Sequence, residues 1–412
     1  MHSRKSKTGK LFVRILLVFV ILVIALSALN YKLIIGIYHG MTLFEPEKLA
    51  ENFCRADQRF RSRLVAAGGD VSAFTYDLQG LPEHYQYAGE TKSITQFVEH
   101  TDTTGLIVTS GDVILYEEYF QGNAAMSRSI VWSVSKSVVS ALMGIAIADG
   151  YIKDVSDPVT NYVPSLAASG YNGVAIEDVL QMSSGISFNE DYFDASSDFN
   201  KMAPSSVGLG GPLEDVLLTL EREHEPGTVR EYASSDAQVL GMVIRAATGM
   251  DLASYTATRL WQPAGMESDA YWLTDSSGVE SAFGGFNATL RDLARFGNVY
   301  LHNGFWNGKQ IIPQDWVSAS VTTDEAHLLP SEHSLGYGYQ WWVPGGDEGD
   351  FLAIGIYGQV IYINPRHNIV IAKTSAYRGY EQDGEAMELE SVAFMRAIAT
   401  ALGETTAQKS GQ

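Results

Sequence analysis

Ser133 and Lys136 stand three residues apart in Trp132-Ser133-Val134-Ser135-Lys136, at the head of the apolar run Val138-Val139-Ser140-Ala141-Leu142-Met143. On a helix, positions i and i+3 share a face, so the hydroxyl and the amine can come within hydrogen-bond reach. A serine hydroxyl becomes a nucleophile when a neighbouring base takes its proton. A lysine can be that base if burial or nearby charge lowers its pKa. Lys136 is the only lysine in the chain with a serine three residues before it. The spacing alone also fits a capped helix start with a solvated lysine, and roughly one such pair is expected by chance. The elements around the pair have to decide.

Those elements follow an ordered pattern. Gly105-Leu106-Ile107-Val108-Thr109 and Val113-Ile114-Leu115-Tyr116 flank Ser110-Gly111-Asp112, which predicts a β-hairpin. The helix bearing Ser133 follows and is expected to end near Gly150. Residues 137–330 are rich in helical patterns, with a capping-box-like entry at Thr289-Leu290-Arg291-Asp292. Asn287-Ala288-Thr289 matches a glycosylation acceptor but reads as part of that entry. Phe351 to Ile363 and Ile369 to Thr374 predict a second hairpin, and Glu385 to Leu402 an amphipathic closing helix. Strands at both ends of a helical middle predict an α+β fold: an antiparallel sheet flanked by helices, with an inserted helical lobe and a cleft between the two.

This order of motifs resembles the serine β-lactamase and penicillin-binding superfamily over residues 95–402, and within it the class C-related hydrolases of the 6-aminohexanoate-dimer hydrolase group. Ser133-Val134-Ser135-Lys136 stands at the first motif and Tyr232-Ala233-Ser234 at the second. Supporting segments are Asp157-Pro158-Val159, Val179-Leu180-Gln181-Met182-Ser183-Ser184-Gly185 and Leu260-Trp261-Gln262-Pro263-Ala264-Gly265-Met266. By order the third motif falls in Ile356-Tyr357-Gly358-Gln359.

The resemblance implies catalytic roles for Ser133, Lys136 and Tyr232: attack on an acyl carbonyl, proton removal, and proton delivery to the leaving group. It implies an oxyanion hole from the backbone N–H groups of Ser133 and Gln359. Substrate contacts are expected from Tyr192, Ser234, Tyr357 and Gly358, the glycine leaving room for substrate against the strand. A tyrosine near pKa 10 needs an adjacent cation to act as a base, which Lys136 could supply. Trp341 and Trp342 could wall the cleft, with packing expected for at least one. Lys7-Thr8-Gly9 spells the third motif but precedes the apolar segment, and Lys373-Thr374-Ser375 follows the second strand of the hairpin. The chain departs from lactamases in having apolar Ile356 where a cation would bind a substrate carboxylate, a contact worth about 2–3 kcal/mol. Ser234 likewise replaces a common asparagine. Both departures favour small carboxylic esters or linear amides. A β-lactamase or D,D-peptidase, and an acylated sensor without turnover, are the alternatives.

The 412 residues carry a net charge of −20 and 46% hydrophobic content, enough for a large core. The acidic balance disfavours nucleic-acid partners, because phosphate binding needs a basic face. Cys54 is the only cysteine, so no intrachain disulfide can form. No His or Cys cluster has zinc-ligand spacing, and neither a metal nor a cofactor is expected. Arg4, Lys5, Lys7 and Lys10 precede the apolar Leu11–Leu29, whose 19 residues at a rise of about 1.5 Å would approach the thickness of a bilayer core. The expected plan is a basic cytoplasmic flank and membrane anchor (1–40), an N-terminal extension packed on the catalytic domain (41–94), the hydrolase domain (95–404) and a tail (405–412). A positive flank stays inside, so the domain is expected on the extracytoplasmic, periplasmic side of a bacterial membrane. Cleavage after Ala25-Leu26-Ser27-Ala28 is the competing reading.

Overall fold

The computed structural model describes residues 10–20, 31–331 and 333–410. Its main sheet has eight strands in the order Gly336–Tyr337, Trp342–Val343, Phe351–Gly355, Gln359–Asn364, Ile369–Ser375, Thr103–Ser110, Val113–Tyr119 and Thr75–Tyr76. All neighbours are antiparallel except the last pair, which is parallel. The sheet is therefore mixed at one edge. Thr103–Ser110 and Ile369–Ser375 are buried along their whole length, in keeping with their Val, Ile and Leu content and with cover on both faces.

One face of the sheet packs against the closing helix Tyr380–Ser410, where Phe394, Met395 and Ile398 meet Leu106, Val108 and Ile371. The other face packs against Leu290–Leu301 and the buried helix Val134–Ala148. Thr289 caps the first of these, its hydroxyl accepting from Asp292 N–H at 3.3 Å. Asn287 is fully buried, consistent with a structural place for that triplet. The helix Val134–Ala148 is apolar almost all round because it lies between the sheet and the helical lobe, with Ser234–Thr248 crossing it.

The expected second hairpin is a three-stranded meander. Phe351 to Ile363 is not one strand but two, Phe351–Gly355 and Gln359–Asn364, separated by a tight reversal at Ile356-Tyr357-Gly358. Tyr357 there takes φ = +61°. Gly355 and Gly358, the latter at φ = +84°, are the local mark of this reversal, although the β-formers around them read as one strand.

Residues ahead of the domain are woven into it. Ser62–Val65 is an edge strand of a second, four-stranded sheet with Ala270–Leu273, Phe286–Thr289 and Arg128–Ile130. The helix Tyr31–Thr42 and the short turns after it lie over the cleft. No helix among the described residues is long and apolar enough to cross a membrane. The expected anchor falls partly outside the described residues: 10–20 are helical and exposed, and 21–30 are not described.

Candidate active site

Ser133 begins the helix Val134–Ala148 but makes no cap hydrogen bond with its side chain. Lys136 is 1% exposed. A capped helix with a solvated lysine is therefore ruled out. Lys136 Nζ lies 2.8 Å from Ser133 Oγ, 3.2 Å from Ser234 Oγ and 2.9 Å from the Phe283 carbonyl. Burial pulls the Lys136 ammonium down to about 8, with Glu190 pushing it partway back up.

The partners fix what a neutral Lys136 can do. The Phe283 carbonyl can only accept. Ser234 Oγ gives its own proton to Glu190 Oε1 at 2.6 Å, so toward Lys136 it also accepts. Those two contacts use both N–H bonds of a neutral amine and leave its lone pair for the Ser133 hydroxyl. That is the orientation proton removal requires.

Glu190 was not among the residues singled out in the sequence, although it sits two positions before Tyr192. Its carboxylate accepts from Ser234 N–H at 2.7 Å, Ser234 Oγ, and Tyr192 hydroxyl at 3.0 Å. Ser234 N–H belongs to the first turn of Ser234–Thr248, where a helix end favours negative charge. Glu190 borders open space, yet its carboxylate is enclosed by these donors. Burial raises its pKa, opposed by Lys136 and by the hydrogen bonds. Only a pairing between residues 44 positions apart reveals this role, and no local motif marks it.

Tyr232 lies with Lys136 Nζ 4.9 Å from its ring centroid, and the Ser133 hydroxyl is among the groups that act on its phenol. Its ring stacks on Trp342 at 5.5 Å and meets Tyr337 edge-on. Burial raises the Tyr232 hydroxyl well above its ordinary pKa, with the neighbouring Tyr337 and Glu190 adding to the effect. The resting group is a neutral phenol. Of the two tryptophans, Trp341 is fully buried against Tyr300 and Phe351, whereas Trp342 borders the cleft beside Tyr232.

The third-motif residues sit differently from their order in the sequence. Tyr357 borders the cleft, but neither Gly358 nor Gln359 is among the residues lining it. A side chain at Gly358 would meet Ser375 and Lys373, and the Gln359 amide bonds the Ser375 carbonyl at 2.6 Å. Gly355 is the glycine that approaches Ser133: a Cβ there would lie 3.2 Å from Ser133 N and 2.4 Å from the Val131 carbonyl. The strand reversal displaces the motif to Ala353-Ile354-Gly355, so the peptide beside Ser133 N is the one leading into Ile356. The position still holds no cation. Lys373 is buried, bonding Ser375 Oγ and the Gly358 carbonyl, and lines neither cavity.

Ser133 stands where two cavities meet, of about 660 and 760 Å³. The first is apolar, and Trp132, Phe199, Phe283 and the segment Ile37–Leu49 contribute to it. The second is acidic and includes Tyr232, Trp342, Glu190, Asp191, Glu381, Asp383 and Glu388. Trp132, with φ = +46°, and Tyr357 both hold the left-handed conformation that bulky residues rarely adopt. Phe44 stacks on both, at 5.8 and 5.5 Å, and Phe53 meets both edge-on.

A family model described as "Beta-lactamase" matches residues 91–391. The chain belongs to the β-lactamase family. It is 34% identical over 297 residues to the 6-aminohexanoate-dimer hydrolase of Paenarthrobacter ureafaciens, covering 69% of this chain and 75% of that protein. The structure of a putative 6-aminohexanoate-dimer hydrolase from Bacillus anthracis superposes with a TM-score of 0.78 at 26% identity, over 86% of this chain and 95% of that one. EstCE1, a hydrolase with promiscuous acyltransferase activity, shares the fold at a TM-score of 0.60 and 15% identity, over 74% and 96% of the two chains. This β-lactamase-family protein is a serine hydrolase.

Proposed function

We propose that this serine hydrolase cleaves carboxylic esters or linear amides through an acyl-enzyme on Ser133. The observation that carries the reading is the Ser133–Lys136–Ser234–Glu190 chain, buried at Lys136 and Ser234, which would aim the lone pair of Lys136 at the hydroxyl once that lysine is neutral. Ser133 Oγ bonds to the acyl carbon as Lys136 accepts its proton. The carbonyl oxygen gains charge between the N–H groups of Ser133 and Ile356, the latter following the glycine that approaches Ser133. Tyr232 gives its proton to the departing oxygen or nitrogen and is resupplied from Lys136. Water then adds to the acyl carbon, the Ser133 ester bond breaks, and the proton returns to Ser133 Oγ. A contact from Tyr192, whose hydroxyl donates to Glu190, to a substrate amide nitrogen is part of this reading. The 6-aminohexanoate-dimer hydrolase among its relatives supports linear amides as a substrate class.

The acidic cavity beside Tyr232 supports a neutral or cationic leaving group. It weighs against a β-lactam or D-Ala-D-Ala, whose carboxylate would enter a cavity bordered by Asp191, Glu381, Asp383 and Glu388 with no cation at Ala353 or Ile356. The basic flank before an apolar run supports a membrane-anchored enzyme with its catalytic domain outside the cytoplasm.

The test is turnover of p-nitrophenyl acetate and nitrocefin by the full chain in detergent, alongside Ser133→Ala, read by absorbance and intact mass. Ester turnover falling at least about a thousandfold in the variant is the expected result. Ester turnover that survives in Ser133→Ala would refute the acyl-enzyme. Hydrolysis of nitrocefin would instead move the enzyme to the lactamase reading.

A further inference from the structure

The apolar cavity extends the proposed reaction to a particular substrate class. Its wall is shared between the catalytic domain and the N-terminal helix Tyr31–Thr42, through Ile37, Gly40 and Met41, continued by Phe44. The helix is seated closely. A Cβ at Gly40 would come within 2.7 Å of Leu209 Cδ1, His39 Nδ1 bonds the Arg59 carbonyl at 2.8 Å, and the Asn52 amide ties down the carbonyls of Thr42 and Leu43. Met41 is 81% exposed although it lines the cavity, which puts it at the mouth. Ile37, Phe44 and Phe193 are lining residues with large exposed surfaces as well. An apolar opening of this kind marks a binding site for apolar groups.

The position of Tyr232 orients the substrate. It borders the acidic cavity and not the apolar one, while Ser133 and Ile356 border both. The leaving group, which takes the Tyr232 proton, therefore occupies the acidic side. The acyl group is left with the apolar side. We infer that the enzyme acts on amphiphilic esters or amides whose acyl chain fills the apolar cavity walled by the N-terminal helix. This inference rests on Ser133 being the acylated residue.

Chain length provides the test. The full chain in detergent is assayed with p-nitrophenyl acetate, butanoate, hexanoate and octanoate, and its labelling by ethyl and octyl fluorophosphonates is followed by intact mass. Burial of each added methylene is expected to raise kcat/KM roughly three- to fourfold, about 0.8 kcal/mol each. Ile37→Trp, which fills the cavity from an exposed helix position, is expected to lower the octanoate-to-acetate ratio of kcat/KM at least tenfold. A circular dichroism melt of Ile37→Trp confirms that the fold is retained. Acetate turnover with a flat or falling chain-length profile, or a ratio that Ile37→Trp leaves unchanged, overturns the inference and leaves the acyl-enzyme standing. Absence of both ester turnover and any adduct on Ser133 overturns the acyl-enzyme and the inference with it.

Discussion

Lys136 is expected to set the pH dependence of the reaction. It acts as a base only when neutral, and burial holds its pKa near 8. kcat/KM therefore rises with pH through that region and falls about tenfold per unit below it. Glu190 is the group that raises the Lys136 pKa. Glu190→Gln is expected to move the acid limb to lower pH, while weakening the site because an amide cannot accept from all three donors. A pH–rate profile of the two proteins tests this; an unmoved limb would show that Glu190 does not act through Lys136. At this scale the meeting of Ser133 with Lys136 was legible because i and i+3 share one helix turn, whereas Tyr232 stood out only through the resemblance of Tyr232-Ala233-Ser234 to the family's second motif. Glu190 was not, because its partners Ser234 and Lys136 come from other elements.

Elements decide how Ser133 is presented. Trp132, next to it in the chain, and Tyr357, whose ring lies 6.5 Å from that of Trp132, hold left-handed backbone conformations and are braced by Phe44 and Phe53 from the N-terminal segment. Phe53 is 2% exposed, so Phe53→Ala is expected to cost about 3–5 kcal/mol in urea unfolding. It is also expected to lower kcat by releasing Trp132, which precedes Ser133. Normal kcat in a destabilised Phe53→Ala protein would show that the brace serves folding alone. The hairpin Thr103–Ser110 and Val113–Tyr119 could be read from its Ser-Gly-Asp turn. The reversal at Ile356–Gly358 had only Gly355 and Gly358 to mark it among β-formers, and the positive φ of Tyr357 is not a property its residue type announces. That reversal moves the glycine facing Ser133 from Gly358 to Gly355.

For the whole molecule, Lys373 links stability to pH. Burial holds its ammonium down to about 7, with Asp102 acting the other way. A lysine in the unfolded chain stays protonated to about 10.4. Between these values the unfolded chain binds the extra proton, so this contribution to stability is complete above the upper value and is lost as pH falls toward 7. Lys373→Met removes the dependence. Its stability relative to the parent is expected to be greatest near about pH 6 and to shrink toward about pH 10 in urea melts. A difference constant with pH would show that Lys373 is charged throughout. The sequence by itself determined the class of chemistry and the α+β architecture: apolar periodicity places strands and helices, and short motifs hold a nucleophile beside its base. The tertiary structure alone decided which glycine meets Ser133, that Glu190 hydrogen-bonds Ser234 beside Lys136, and that the N-terminal helix walls the apolar cavity. Each depends on contacts between distant segments, whose energies come from burial and pairing that local spacing does not encode.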